Sequence, residues 1–170
     1  MKIYYSQIEI GPNKIFVSAT SAGLFSIVLG EPEVALNFPT WEYRFKVSFQ
    51  RDDQRFQDIA ADLAGYFCGL QMEFSFELDL RGATNFERTV WDKAMQVPYG
   101  QVRSYKWLAE QIRNPNATKA VGRALWFNPL PIVIPCHRII QKDLSLGGFA
   151  AGIGWKERLL MLERGELRIL

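Results

Sequence analysis

Ser104 to Arg138 reads SYKWLAEQIRNPNATKAVGRALWFNPLPIVIPCHR, and this stretch decides the architecture of the second half of the chain. Ser104 is a helix-capping residue, and Tyr105, Leu108, Ala109 and Ile112 follow it at helical spacing on one face. Asn114-Pro115-Asn116 breaks that helix. A further helix is expected from Ala117, with Ala117, Ala120, Val121, Ala124 and Leu125 turned inward. Two short helices joined by a tight turn form a helix-turn-helix pattern. Lys119, Arg123 and Trp126 stand at i, i+4 and i+7, so they share the outward face of the second helix. Gly122 lies between the two cations and leaves room for another backbone or a nucleic-acid strand. Cations and an aromatic ring on one helical face suit DNA, and they also suit an ordinary solvated surface.

The same stretch ends in reactive chemistry. Ile132-Val133-Ile134 reads as a short buried strand, and Cys136 follows it directly after Pro135. His137 is the single histidine of the chain, and there are two cysteines, so a structural zinc site cannot be completed without carboxylates. A Cys–His pair for nucleophilic chemistry remains, beside the alternative of an inert buried cysteine. Neighbouring residues of an extended chain point to opposite faces, so direct contact between Cys136 and His137 requires a turn there, or a bridging water to carry the proton. Cys68 is expected on the buried side of a helix end, chemically inert. The glycine-rich loop from Gly147 to Gly154 lacks the glycine spacing of a dinucleotide or phosphate loop and reads as a wall or lid.

Outward from this stretch, Thr84 and Glu87 form a capping-box signature for a helix over 85–96, and a last helix is expected over 155–164. The first half reads differently. Lys14–Ala19 and Leu24–Leu29 are strand-like runs joined as a hairpin, Gly30–Thr40 is a loop, and Tyr43–Phe49 alternates as a strand. Phe56, Ile59, Ala60, Leu63 and Phe67 predict a helix ended by Gly69, and Glu73–Leu80 returns to a strand pattern. We expect two domains, 1–82 and 83–170. Charge divides along the same line: residues 1–83 carry a net −4 and residues 84–170 a net +6, a basic half suited to a polyanion. With 48% hydrophobic residues in 170, the chain buries a real core, and two cysteines argue against a secreted disulfide scaffold. No signal-peptide pattern or membrane-length apolar run is read, so a cytoplasmic location is expected, or a nuclear one in a eukaryote.

Taken together, Val121-Gly122-Arg123-Ala124, Asn128-Pro129-Leu130-Pro131 and Ile132-Val133-Ile134-Pro135-Cys136-His137-Arg138-Ile139-Ile140 resemble the active-site signature of the O6-alkylguanine-DNA alkyltransferases. Val97-Pro98-Tyr99-Gly100-Gln101-Val102 with Ser104-Tyr105, and Lys156-Glu157, Leu159-Leu160 and Glu163, are similar to that family's helix-turn-helix entry and final helix. The resemblance covers about residues 84–165; the first half agrees in size and order of elements. It implies an α+β protein, with an N-terminal α/β domain of ribonuclease H type before a mainly helical, winged-helix-like domain. It implies Cys136 as alkyl acceptor, His137 as its base through water, Glu163 orienting His137, Asn128 bracing the turn and Tyr105 donating to a flipped guanine. DNA contacts would fall to Ala117, Lys119, Gly122, Arg123, Trp126 and Arg138, with the helix from Ala117 in the minor groove. Pro135, Gly147, Phe149, Ala150 and Ala151 would form the substrate pocket. Lys119 stands where the family usually has an arginine, Phe149 where a tyrosine is common and Ala150 where a serine is common. No metal or cofactor is implied. The implied partner is double-stranded DNA carrying O6-alkylguanine, met by a monomer that acts once. A thiolate nucleophile needs activation, so the Cys136 pKa is expected to be depressed by His137 and Glu163. The rival readings are a non-enzymatic binder of alkylated DNA, a helix-turn-helix regulator and a cysteine hydrolase.

Overall fold

A computed structural model describes residues 1–30, 46–70 and 73–167, which fall into two compact units dividing between Leu80 and Arg81. The class is mixed α+β, as expected. In the first unit β1 (Lys2–Ile10), β2 (Asn13–Thr20), β3 (Gly23–Leu29) and β4 (Ser48–Arg51) form a sheet in the order β3-β2-β1-β4. The β1–β2 and β2–β3 pairs are antiparallel and β1–β4 is parallel. The β2–β3 hairpin turns where it was read, with Thr20 opposite Gly23. Strand β1 was not read from the sequence: Ile3, Ser6, Ile8 and Ile10 are its buried residues, and that mixture hides the alternation.

A 3-10 turn, Asp53–Phe56, leads into α1 (Gln57–Phe67), which buries Ile59, Leu63, Tyr66 and Phe67. Two readings in this unit are corrected. Cys68 caps α1 beyond its buried stripe and is exposed. The segment 73–80 is no regular strand; it touches β3 through a single bridge, Leu24 to Leu78, with Leu24 N donating to Glu77 O at 2.7 Å. Gly23 makes that approach possible, because a Cβ there would stand 2.2 Å from Glu77 O. Of the expected strand 43–49, residues 43–45 lie outside the described residues, as do 31–40 of the expected loop; the strand itself runs Ser48–Arg51.

The second unit opens with α2 (Asn85–Met95), whose capping box is complete: Glu87 N donates to Thr84 Oγ1 and Thr84 N to Glu87 Oε2. The two-residue strand β5 (Arg103–Ser104) precedes α3 (Tyr105–Gln111), capped by the Ser104 hydroxyl. Helix α4 (Thr118–Trp126) follows the turn at Asn114-Pro115-Asn116. It buries Val121, Ala124 and Leu125, and Trp91 of α2 donates its indole N–H to Ala124 O at 2.9 Å. Ala120, expected inward, is exposed, because a helix this short buries one stripe; Ala117 is the half-buried cap. A 3-10 turn over Cys136–Arg138 runs into β6 (Ile139–Ile140), which pairs in parallel with β5. That small ladder is what carries the Cys136 turn to the start of α3. Helix α5 (Ile153–Glu163) closes the unit. No helix among the described residues is long and apolar enough to cross a membrane.

Candidate active site

Residues 131–134 form a tight turn rather than the expected strand. Ile134 N donates to Leu130 O at 2.8 Å, Pro131 bridges Ile134, and Ile132 sits at φ 77°. A β-branched residue in that region costs about 1–3 kcal/mol and persists only where its surroundings hold it. Asn128 does so. Its Nδ2 donates to Ile134 O at 2.8 Å and to Cys136 Sγ at 2.9 Å, while its Oδ1 accepts from Leu130 N at 2.9 Å. The bracing role inferred for Asn128 therefore has a geometry, and the same side chain touches the reactive sulfur.

The chain turns at Cys136, yet the two neighbouring side chains still diverge across the 3-10 turn. Its helical twist lets Cys136 reach a cavity while His137 points into the core, where it is fully buried. His137 Nε2 lies 2.7 Å from Glu163 Oε1. Glu163 also accepts from Arg138 Nε at 2.9 Å, Arg138 Nη2 at 2.9 Å and Gly100 N at 2.9 Å. Burial pushes the Glu163 carboxyl up, but the bonds from His137 and Arg138 outweigh it and hold it well below the usual carboxylate range. Burial pushes His137 down, only partly offset by Glu163, so the imidazole is neutral at neutral pH. A neutral ring beside an ionised carboxylate donates its Nε2–H to it, which leaves the lone pair on Nδ1.

Arg138 was expected on DNA. The structure places it inside instead, bonded to Glu163 and donating from Nη1 to Val97 O at 2.8 Å. The reason is charge balance: a buried carboxylate needs a buried cation.

Cys136 departs from expectation in its ionisation. Burial pushes the thiol up to about 11, against the opposing pull of the Asn128 amide and of Lys156. The resting cysteine is thus a protonated thiol that must lose its proton as it reacts. Once formed, the thiolate of a high-pKa thiol is the stronger nucleophile.

A cavity of about 340 Å³ stands over it. Cys136 and Tyr105 line it, with Lys119, Gly122 and Trp126 from α4 and Gly148 and Phe149 from the glycine loop. Of the five expected pocket residues, Phe149 lies on this lining and is buried. Pro135, Gly147, Ala150 and Ala151 are not on it. Gly147 sits just behind, at φ 69°, where an added Cβ would come within 2.9 Å of the Tyr105 hydroxyl. Lys119, Arg123 and Trp126 are all exposed on α4, as read.

Lys156 was matched only as part of the final helix, and its place in the site was missed. It is fully buried, and its Nζ donates to Ile139 O at 2.6 Å, to Tyr105 Oη at 3.3 Å and to Gly148 O at 3.4 Å. Burial pushes its ammonium down to about 8, with the nearby Cys136 pulling the other way. In sequence it looks like one more surface lysine, and only its apolar helical neighbours Ile153, Leu159 and Leu160 hint otherwise. Burial and the Cys136 side chain push the Tyr105 phenol up, so Tyr105 keeps its proton.

Residues 85–165 match the family model for the DNA-binding domain of 6-O-methylguanine DNA methyltransferase. The chain is 43% identical over 119 residues to the methylated-DNA–protein-cysteine methyltransferase of Mycolicibacterium paratuberculosis, covering 70% of this chain and 72% of that one. It is 34% identical over 166 residues to the protein of that name from Methanosarcina barkeri, covering 98% of this chain and all of the relative. Its fold matches that of Mycobacterium tuberculosis OGT, crystallised in complex with DNA, with a TM-score of 0.79 and 32% identity over 98% of this chain and 94% of that one. A relative matched from end to end, by a chain with a cysteine at the floor of a cavity walled by a helix-turn-helix, leaves one assignment: this chain belongs to the methylated-DNA–protein-cysteine methyltransferase family.

Proposed function

We propose that the chain repairs double-stranded DNA by moving an alkyl group, methyl above all, from O6 of guanine to Cys136 in a single irreversible step. The observation that carries this reading is that one cavity is lined by both Cys136 and the outward face of α4. The substrate atom lies inside a duplex, so the guanine must be flipped out to reach the sulfur.

In this reading the Cys136 thiol proton passes through a water to His137 Nδ1. Glu163, ionised and bonded to Nε2, orients the ring and stabilises the imidazolium. The sulfur pair attacks the alkyl carbon; an S–C bond forms and the C–O6 bond breaks, its electrons passing into the guanine ring. The leaving guanine accepts a hydrogen bond and then a proton from Tyr105. Lys156, hydrogen-bonded to the Tyr105 oxygen, replaces that proton and is recharged from solvent, while His137 releases the thiol's proton to solvent, so that the net proton moves from thiol to base. Lys156 donates to the oxygen of Tyr105, which turns the phenolic hydrogen away from Lys156 and makes it a better donor. The thioether has no leaving group to return, so each molecule acts once.

A sheet followed by a helix suits a ribonuclease H-like first domain over 1–82, and α3, α4 and the β5–β6 ladder suit a winged-helix-like second domain over 83–170. A monomer acting on chromosomal DNA, in the cytoplasm or in a eukaryotic nucleus, is the simplest form of this reading.

Intact mass spectrometry after incubation with excess O6-methylguanine duplex tests it. Each molecule should gain the mass of one methyl group, mapped to Cys136, and demethylated guanine should appear one for one. Release of more than one equivalent would point to a turnover enzyme, and no mass gain to a DNA-binding regulator. Lys156→Met keeps the apolar stem and removes the three donations. It should slow transfer by about 10²-fold at saturating DNA, the scale of a misplaced proton donor, while DNA affinity stays unchanged. Transfer at the wild-type rate would remove the Lys156–Tyr105 pair from the mechanism.

A further inference from the structure

We infer that Trp126 is the outer stacking wall of the cavity, a residue that holds the extruded guanine ring and sets how tightly alkylated bases are captured. The inference rests on the alkyltransferase reading above. Trp126 ends α4 51% exposed, although it is among the largest apolar residues of the chain. An indole left half in water at the rim of a cavity marks a surface meant to be covered. Its six-membered ring lies against the glycine loop: atoms Cζ3 and Cε3 stand 3.4 and 3.6 Å from where a Cβ on Gly148 would sit. The ring therefore reaches from the helix to the loop at the rim.

Phe149 from the same loop is buried on the same lining. Two aromatic side chains from two separate elements thus face one cavity whose volume is at the lower end for small-molecule sites. A purine is a flat ring that stacks on aromatic faces whatever its substituent. Cys136 is nine-tenths or more buried on the same lining, and the alkyl carbon must lie against its sulfur. Trp126, being at the rim, meets the base and not the reacting carbon. Lys119 shares the lining two turns earlier on the same helical face and supplies a point charge but no flat surface.

A stacking wall contributes to capture and leaves the chemical step alone. In single-turnover transfer from O6-methylguanine duplex, Trp126→Ala should raise the half-saturating DNA concentration roughly tenfold and leave the limiting rate unchanged. Trp126→Phe should restore most of the loss, and Trp126→Leu, with apolar bulk but no flat ring, should not. The direct signature is optical. In a Cys136→Ser background, free O6-methylguanine base should quench tryptophan emission, and adding Trp126→Phe should abolish the quench. Equal rescue by Leu and Phe, a fall in the limiting rate, or a quench that survives Trp126→Phe would each overturn the assignment. If wild type gains no methyl from DNA, the alkyltransferase reading itself fails; if it does and these results are absent, only the role of Trp126 falls.

Discussion

Cys136→Ser is expected to bind O6-methylguanine duplex with unchanged affinity and to transfer no measurable methyl. Oxygen is smaller, harder and far less acidic than sulfur, and displacement at an alkyl carbon needs a soft, deprotonated nucleophile. The environment sharpens the difference. Burial already keeps the thiol protonated, and the base behind it is a neutral imidazole; neither could ionise a hydroxyl. A loss of at least about 10⁴-fold is the scale for removing a nucleophile from an assembled site. The fold should survive, because the Asn128 amide that donates to Sγ at 2.9 Å can donate to a hydroxyl, leaving a penalty of about 1 kcal/mol or less. Intact mass and a gel-shift titration measure the two halves of this prediction. Methyl found on the serine variant would mean that Cys136 is not the acceptor.

Glu163→Gln should have the next largest effect, on stability and rate together. The carboxylate accepts from His137, from two nitrogens of Arg138 and from Gly100 N. An amide can accept at one oxygen only, and it leaves the buried guanidinium of Arg138 without a counter-charge. Breaking a buried pair this way costs about 3 kcal/mol or more, which in a chain of this length lowers the melting temperature by about 6–12 °C. The pH dependence has a definite sign. A carboxyl whose folded pKa is depressed contributes stability that is fully present above its ordinary value of 4.5 and is lost as pH falls toward the folded value. The gap between wild type and variant should therefore be widest at neutral pH and narrow in acid. Transfer should slow because His137 loses the anion that stabilises its imidazolium, and the pH profile of the limiting rate should change shape, with DNA affinity intact. A variant that melts earlier yet transfers at the wild-type rate and pH profile would leave Glu163 a purely structural role.

The local signals of the second half were legible because they are local. The Thr84–Glu87 capping box, Ser104 as a cap and the break at Asn114-Pro115-Asn116 depend on residues within a turn of one another, and each stands where the sequence places it. The Cys136–His137 pair and the outward trio Lys119, Arg123 and Trp126 follow from spacing alone. Strand β1 escaped notice because a central strand is defined by its partners, β2 on one side and β4 on the other, and only three of its buried positions are apolar.

Tertiary structure decided the rest, through burial. The apolar run Ile132-Val133-Ile134 is equally apolar as strand or turn; the Asn128 amide, holding Ile132 at positive φ, makes it a turn. Arg138 and Lys156 carry the same charge in sequence as any surface cation, yet one neutralises Glu163 and the other stands behind Tyr105. The Cys136 thiol was expected to be acidic from its neighbours, and its desolvation outweighs them. Sequence by itself determined which reactive groups exist and which helix carries them. Their ionisation was set by the folded interior, because the cost of desolvating a charge depends on everything packed around it, and that includes residues far away in the chain.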